Sequence, residues 1–128
     1  MTDVVVVGGT EETRMLLRGL VRLFHHRLVA EAPSFGDLPA AVSPHGPTVA
    51  VVDLDLFRPD EAGSIAEART RFPDLRIVLL TPHASPQTLA KATSLGIDRV
   101  VRRPFAVQEL MEAIDGGPPA LAPPARQP

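Results

Sequence analysis

The chain contains no cysteine. Disulfides, thiolate metal sites and a cysteine nucleophile are therefore excluded. It also lacks an excess of charge: 13 Lys and Arg stand against 15 Asp and Glu, a net charge of −2. That balance gives no electrostatic basis for binding nucleic acid or an anionic membrane. No helix-turn-helix or basic stripe is present either. No apolar run approaches the roughly 20 residues that cross a bilayer. The start, Met1-Thr2-Asp3 and then four valines, has no basic leader region and enters a strand directly. The expectation is a cytoplasmic protein with no membrane and no nucleic-acid partner. No nucleophile–base–orienter set can be placed from spacing, so a hydrolase has no support.

What is present points to one globular domain. The 128 residues are 45% hydrophobic and 22% charged, enough to bury an ordinary core. The chain is organised around Pro47-Thr48-Val49-Ala50-Val51-Val52-Asp53-Leu54-Asp55. A short apolar run bounded by turn residues reads as a strand buried on both faces. Asp53 is the first charge that strand meets.

Similar runs recur along the chain. Val4 to Val7 ends at Gly8-Gly9, and Thr10 caps a helix whose first turn holds Glu11 and Glu12. Leu16, Leu17, Leu20, Leu23 and Phe24 repeat at helical spacing, with Arg14, Arg18 and Arg22 on another side. His25 and His26 close this helix, where imidazoles suit the negative end of its dipole. Arg27 to Ala32 offers a second strand, followed by a weak helix over Leu38 to Val42 and a turn containing His45. After the Asp53 strand come a helix around Ile65 to Phe72, a strand from Leu75 to Leu80, and Thr81-Pro82. Ser85-Pro86 starts a helix that Gly96 closes. Val100-Val101 runs into Arg102-Arg103-Pro104-Phe105, and a last helix carries Val107, Leu110, Met111 and Ile114.

Five alternations of strand and helix with short connections predict a parallel sheet with helices on both faces. This domain is expected over residues 1–115. Residues 116–128 form a Pro/Ala-rich tail with nothing to bury, expected to be disordered.

In a parallel sheet the strand ends share one edge, where open α/β sheets place their ligands. Gly8, Gly9, Asp53, Thr81 and Arg103 each follow their strand and should cluster there. A carboxylate, a hydroxyl and a cation around a Gly turn can hold a phosphoryl group.

This succession resembles the receiver domain of two-component response regulators. The resemblance implies a CheY-like, flavodoxin-like fold, with sheet order 2-1-3-4-5 and five helices. It makes Asp53 the equivalent of the phospho-acceptor, Thr81 the switch Thr/Ser, and Arg103-Pro104-Phe105 the counterpart of Lys-Pro-Phe, whose X–Pro bond is commonly cis. Asp55 is the alternative acceptor, since it better fits the family's spacing to Pro59 and Gly63. Asp53, which ends the apolar run, fits the spacing from Pro47 and Gly8. It is preferred, which makes Leu54 to Arg58 a lengthened loop.

The departures from the family pattern shape the functional expectation. Gly8 and Gly9 stand where receivers carry an acidic pair for Mg²⁺, so Mg²⁺ binding should be weak or absent and no other cofactor is expected. Glu11 or Glu12 would have to reach back to replace that pair. Arg103 replaces the lysine and either forks onto Asp53 or faces water beside Arg102. Val100 stands where an aromatic switch residue is usual, and His83 borders the pocket. The leading expectation is a non-enzymatic, single-domain pseudo-receiver acting through a signalling protein, such as a histidine kinase or another regulator. With no output domain following, partner binding is its expected output. The family's contact face, made by the fourth helix, fifth strand and fifth helix, would draw here on Lys91, Leu95, Arg99, Val101 and Gln108. It is also the expected homodimer face. Two alternatives remain: a weak phospho-receiver using Asp53, with metal held by Asp53, Asp55 and water, and anion or nucleotide binding at the Gly8-Gly9 turn.

Overall fold

A computed structural model of the chain describes residues 2–38 and 49–116. Strands β1 (Asp3–Gly8), β2 (Arg27–Ala32), β3 (Val49–Asp53), β4 (Arg76–Thr81) and β5 (Arg99–Arg102) form one sheet in the order β2-β1-β3-β4-β5. All four pairings are parallel. The connecting helices among the described residues are α1 (Glu11–Leu23), α2 (Pro59–Arg71), α3 (Pro86–Ser94) and α4 (Val107–Asp115), with one 3₁₀ turn at Phe35–Asp37. The doubly wound CheY-like architecture is as expected, with four α-helices where five were anticipated. The fifth, placed over Leu38 to Val42, lies outside the described residues except for Leu38, which is buried. His45 and the tail after Gly116 also lie outside them.

The central strands are apolar throughout because both sheet faces are covered. Val4, Val6, Val49, Val51, Val78, Leu80 and Val101 face α1 and α4, against Leu17, Val21, Leu110 and Ile114. Val5, Val7, Ala50, Val52, Ile77 and Leu79 face the other way, against Ile65, Ala68, Phe72 and Ala92 of the α2–α3 side. The period-two alternation of a strand divides each valine run between two cores. Val101 therefore corrects one expectation: it is buried in the α4 core rather than displayed on the contact face.

Polar groups fix the strand ends. At the lower edge Arg69 donates to the carbonyls of Leu75 and Gly96 and pairs with Asp98 at 3.1 Å. Asp98 in turn accepts the Ile77 N–H at 2.8 Å, which ties β5 to β4. Arg76 donates to the carbonyls of Ala113 and Ile114, capping α4. The helices start where the sequence places caps: Thr10 Oγ1 accepts from Thr13 N–H and Ser85 Oγ from Thr88 N–H, both at 3.1 Å.

His25 and His26 differ from their reading as dipole caps. His25 takes a positive φ of 66° and is exposed. His26 turns inward: its Nδ1 accepts the Thr2 N–H, and its Nε2 lies 3.1 Å from Asp115. It joins the start of β1 to the end of α4.

Gly63, inside α2, has nothing within 4 Å of the position a Cβ would take. Glycine in a helix interior costs roughly 1 kcal/mol relative to alanine. Gly63→Ala should raise unfolding stability by about that amount, read as a higher urea midpoint with unchanged slope.

Candidate functional site

The upper edge of the sheet gathers the residues that the sequence singled out. Gly8 is in register with Asp53 across the β1–β3 pairing, so the glycine turn and the carboxylate are neighbours by strand geometry. Thr81 ends β4, and the backbone N–H of Arg103 donates to the Thr81 carbonyl at 2.8 Å. That bond anchors Arg103 just beyond β5, beside the cis Arg103–Pro104 peptide. Arg102 is exposed, whereas Arg103 turns across the strand ends.

Arg103 and Asp53 pair. One terminal nitrogen, Nη2, donates to both carboxylate oxygens at 2.9 Å each. The contact is one nitrogen shared between two oxygens, rather than two parallel bonds from two nitrogens. Asp53 is the more enclosed partner, with 16% of its side chain exposed against 32% for Arg103.

Asp55 is placed differently. It is exposed in the loop before α2, where its Oδ1 accepts the Phe57 N–H at 2.9 Å and its own N–H donates to Glu61. This is the local turn chemistry that Asp favours. Leu54 and Leu56 are buried and pin the same loop to the domain.

The glycine turn is tight because Asp53 lies against it. Gly8 and Gly9 have φ of 86° and 69°, a region that L side chains rarely adopt. A Cβ at Gly8 would overlap the Asp53 carbonyl oxygen, and one at Gly9 would lie 2.6 Å from Asp53 Oδ2. Glu11 and Glu12 are exposed and do not reach back. Arg14 does: its Nη1 donates to the carbonyls of Gly9 at 2.8 Å and Gly8 at 3.2 Å. Arg14 lies one turn after the Thr10 cap, and helical side chains lean toward the N-terminus. Sequence reading placed Arg14 only on a polar face. Its offset from the Gly-Gly-Thr turn was the one available signal.

The hydroxyl of Thr81 and the side chain of Val100 engage other partners than this pair. Thr81 is 8% exposed, and its hydroxyl donates to the His83 carbonyl and accepts the His83 N–H. Val100 is partly buried and packs on the α2–α3 side of the core. His83 is exposed and borders a cavity of about 750 Å³, with Gly9, Asp53, Phe57, Thr81 and Arg103 also in its walls.

The donors do not fit Mg²⁺. That ion prefers oxygen ligands in a close octahedron, usually including one or two carboxylates. Both Asp53 oxygens carry Arg103, and the Gly8 and Gly9 carbonyls carry Arg14. Two guanidinium groups thus donate to the oxygens around this turn. An anion at the Gly8-Gly9 turn would meet the Asp53 carboxylate, which disfavours nucleotide binding there.

Residues 4–115 match the family model for the response regulator receiver domain. No curated protein matches the chain. Among solved structures it is similar to a protein assigned to pilus assembly (cpaE) from Burkholderia thailandensis E264. The two are 20% identical over 91% of this chain and 97% of that one, with a TM-score of 0.76. A CheY-like receiver domain protein from Methanospirillum hungatei JF-1 is 15% identical over 91% and 92%, with a TM-score of 0.74. The isolated REC domain of RcsB from Salmonella enterica serovar Typhimurium is 20% identical over 89% and 86%, with a TM-score of 0.73. These identities carry the fold alone. No helix among the described residues is long and apolar enough to cross a membrane. The family match, spanning β1 to the end of α4, makes this chain a member of the response regulator receiver domain family.

Proposed function

We propose that this receiver domain is a pseudo-receiver: a non-enzymatic signalling module that works by protein contact without Mg²⁺-dependent aspartyl phosphorylation. The carrying observation is the Arg103–Asp53 pair, in which one guanidinium nitrogen holds both oxygens of the acceptor-equivalent carboxylate. An aspartate attacks phosphorus through a free oxygen, and metal neutralisation supplies much of the rate in phosphoryl transfer. The shared bond to Arg103 opposes the first, and the donor chemistry around Gly8 and Gly9 opposes the second. The Thr81 hydroxyl, held by the His83 backbone, has no aromatic partner at Val100 to move with.

The partner is a signalling protein, a histidine kinase or another regulator. The face formed by α3, β5 and α4 supports a contact through Lys91, Leu95, Arg99 and Gln108, with exposed Leu89 adding apolar area. The likeness to a pilus-assembly protein adds assembly factors to the partners worth testing.

Intact mass after incubation with acetyl phosphate and Mg²⁺, beside Asp53→Asn, tests this reading. The parent should gain no phosphoryl adduct. An adduct present in the parent and lost in Asp53→Asn would restore the weak phospho-receiver with Asp53 as its acceptor. An adduct retained in that variant would move attention to Asp55.

A further inference from the structure

The cavity over the strand ends has apolar walls that the charge pair does not explain. Its volume of about 750 Å³ lies within the roughly 300–1,000 Å³ of pockets that take small molecules. Buried Leu54, Leu56 and Leu79 line it, together with Phe57, which is 58% exposed. A large aromatic in that position leaves more than half of its apolar surface in water. The loop that carries it is nevertheless closed on itself. Asp55 accepts the Phe57 N–H through Oδ1 at 2.9 Å and the Arg58 N–H through its carbonyl at 3.1 Å. Its own N–H donates to Glu61. Phe57 is thus set at the cavity by bonds of its loop while its ring stays uncovered.

The polar walls select against a charged occupant. Asp53, Asp55 and Glu61 outnumber Arg58 and Arg103, which disfavours an anion. A cation would compete with guanidinium groups already in place, Arg103 on Asp53 and Arg58 at 3.5 Å from Glu61. The buried hydroxyls are satisfied within the chain, Thr81 by the His83 backbone and Thr88 by Ser85. Spare hydrogen-bonding capacity lies on Arg103. Its Nη2 makes both bonds to Asp53, and among the described residues its Nε and Nη1 make none. A guanidinium only donates, so its complement is an oxygen acceptor.

We propose that this cavity binds a small, uncharged ring compound bearing a carbonyl or hydroxyl oxygen. The ring lies against Phe57 and covers the leucines, and the oxygen accepts from Arg103. Covering apolar walls supplies the driving force, and the closed loop presents Phe57 without a further ordering cost. Binding here is independent of the pseudo-receiver reading. A phosphoryl adduct on Asp53 would overturn that reading and leave this site to be judged by its own titration.

Chromone, a neutral bicyclic ketone, and a chromone carboxylate, the same rings with a negative charge, are the probes. Chromone is titrated to ~5 mM into the isotope-labelled full chain and followed by amide NMR, with a Kd on the order of 1 mM expected for so small a ligand. The amides of Phe57, Thr81, His83 and Arg103 should shift saturably. The carboxylate should bind about fivefold more weakly. Phe57→Ala should weaken chromone binding about fivefold, the order of one lost ring contact, and leave the urea midpoint unchanged. Leu89→Ala, which removes an exposed apolar side chain outside this cavity, should change neither. Absence of saturable shifts overturns the proposal. So do shifts centred on α1 or Leu89, a Phe57→Ala variant that binds as the parent does, and a carboxylate that binds as tightly as chromone.

Discussion

Gly9→Asp should unfold far more easily than the parent, by about 3–5 kcal/mol, and Mg²⁺ should not restore the loss. The change writes an acid back into the segment after β1 where receivers carry their acidic pair. Three terms oppose it. The backbone there has a φ of 69°, which costs a residue with a Cβ about 1–2 kcal/mol. The new Cβ would lie 2.6 Å from Asp53 Oδ2, an overpacking typically worth about 1–3 kcal/mol. The added carboxylate also faces a like charge in a partly enclosed place. A domain is stable by only about 5–15 kcal/mol in all, so the effect is large on that scale. Urea melts with and without ~10 mM Mg²⁺ read it, since a ligand at a hundred times its Kd returns about 2.7 kcal/mol. Gly9→Asn, which meets the same backbone and Cβ constraints but adds no charge, should lose less. A midpoint for Gly9→Asp that rises by that margin with Mg²⁺ would show that one acidic side chain suffices to rebuild the metal site.

This strain separates what was legible in the sequence from what was not. Five strand runs followed from apolar runs along the chain, their order in the sheet from the family resemblance, and β2 begins and ends at the expected Arg27 and Ala32. The convergence of Gly8, Asp53, Thr81 and Arg103 followed from topology alone, because parallel strands share an edge. Contact was beyond that logic. Sequence left Arg103 open between Asp53 and water, and the single shared nitrogen depends on where the backbone after β5 is pinned to Thr81. Arg14 was invisible as a site residue because its role is to donate to carbonyls, and backbone acceptors leave no trace in residue identity. Val101 shows the opposite failure: a residue assigned to a surface by analogy belongs to the α4 core by strand alternation.

Arg14 and Arg103 belong to one arrangement. With two glycines behind β1, the carbonyls face a turn with no carboxylates of its own, and a cation from the next helix turn can settle on them. Arg103 supplies the counter-charge for Asp53, and its forked guanidinium reaches both carboxylate oxygens where a lysine offers only a point charge. On the proposed reading, the glycines, Arg103 and the aliphatic Val100 each stand in place of one part of a phosphorylation switch. Together they leave a site with one stable charge arrangement.

Removing the counter-charge alone should therefore cost more than removing the pair. Arg103→Ala is expected to lose about 2 kcal/mol, between the 0.2–1 of exposed ion pairs and the 3–5 of fully buried ones. The intermediate value follows from Asp53 being 16% exposed while Arg103 is 32% exposed. Asp53→Asn should lose less, about 1 kcal/mol, because an amide oxygen still accepts from the guanidinium while no unpaired charge is left behind. The double variant should then be more stable than the sum of the singles requires, with a coupling of about 1–2 kcal/mol. Urea midpoints of the four proteins give this cycle directly. Additive losses would mean that the contact is a surface pairing without energetic weight, and Asp53 would be free to meet a phosphodonor. A coupling of the expected size would mean that a phosphoryl group must displace an arginine already in place before it can reach the carboxylate.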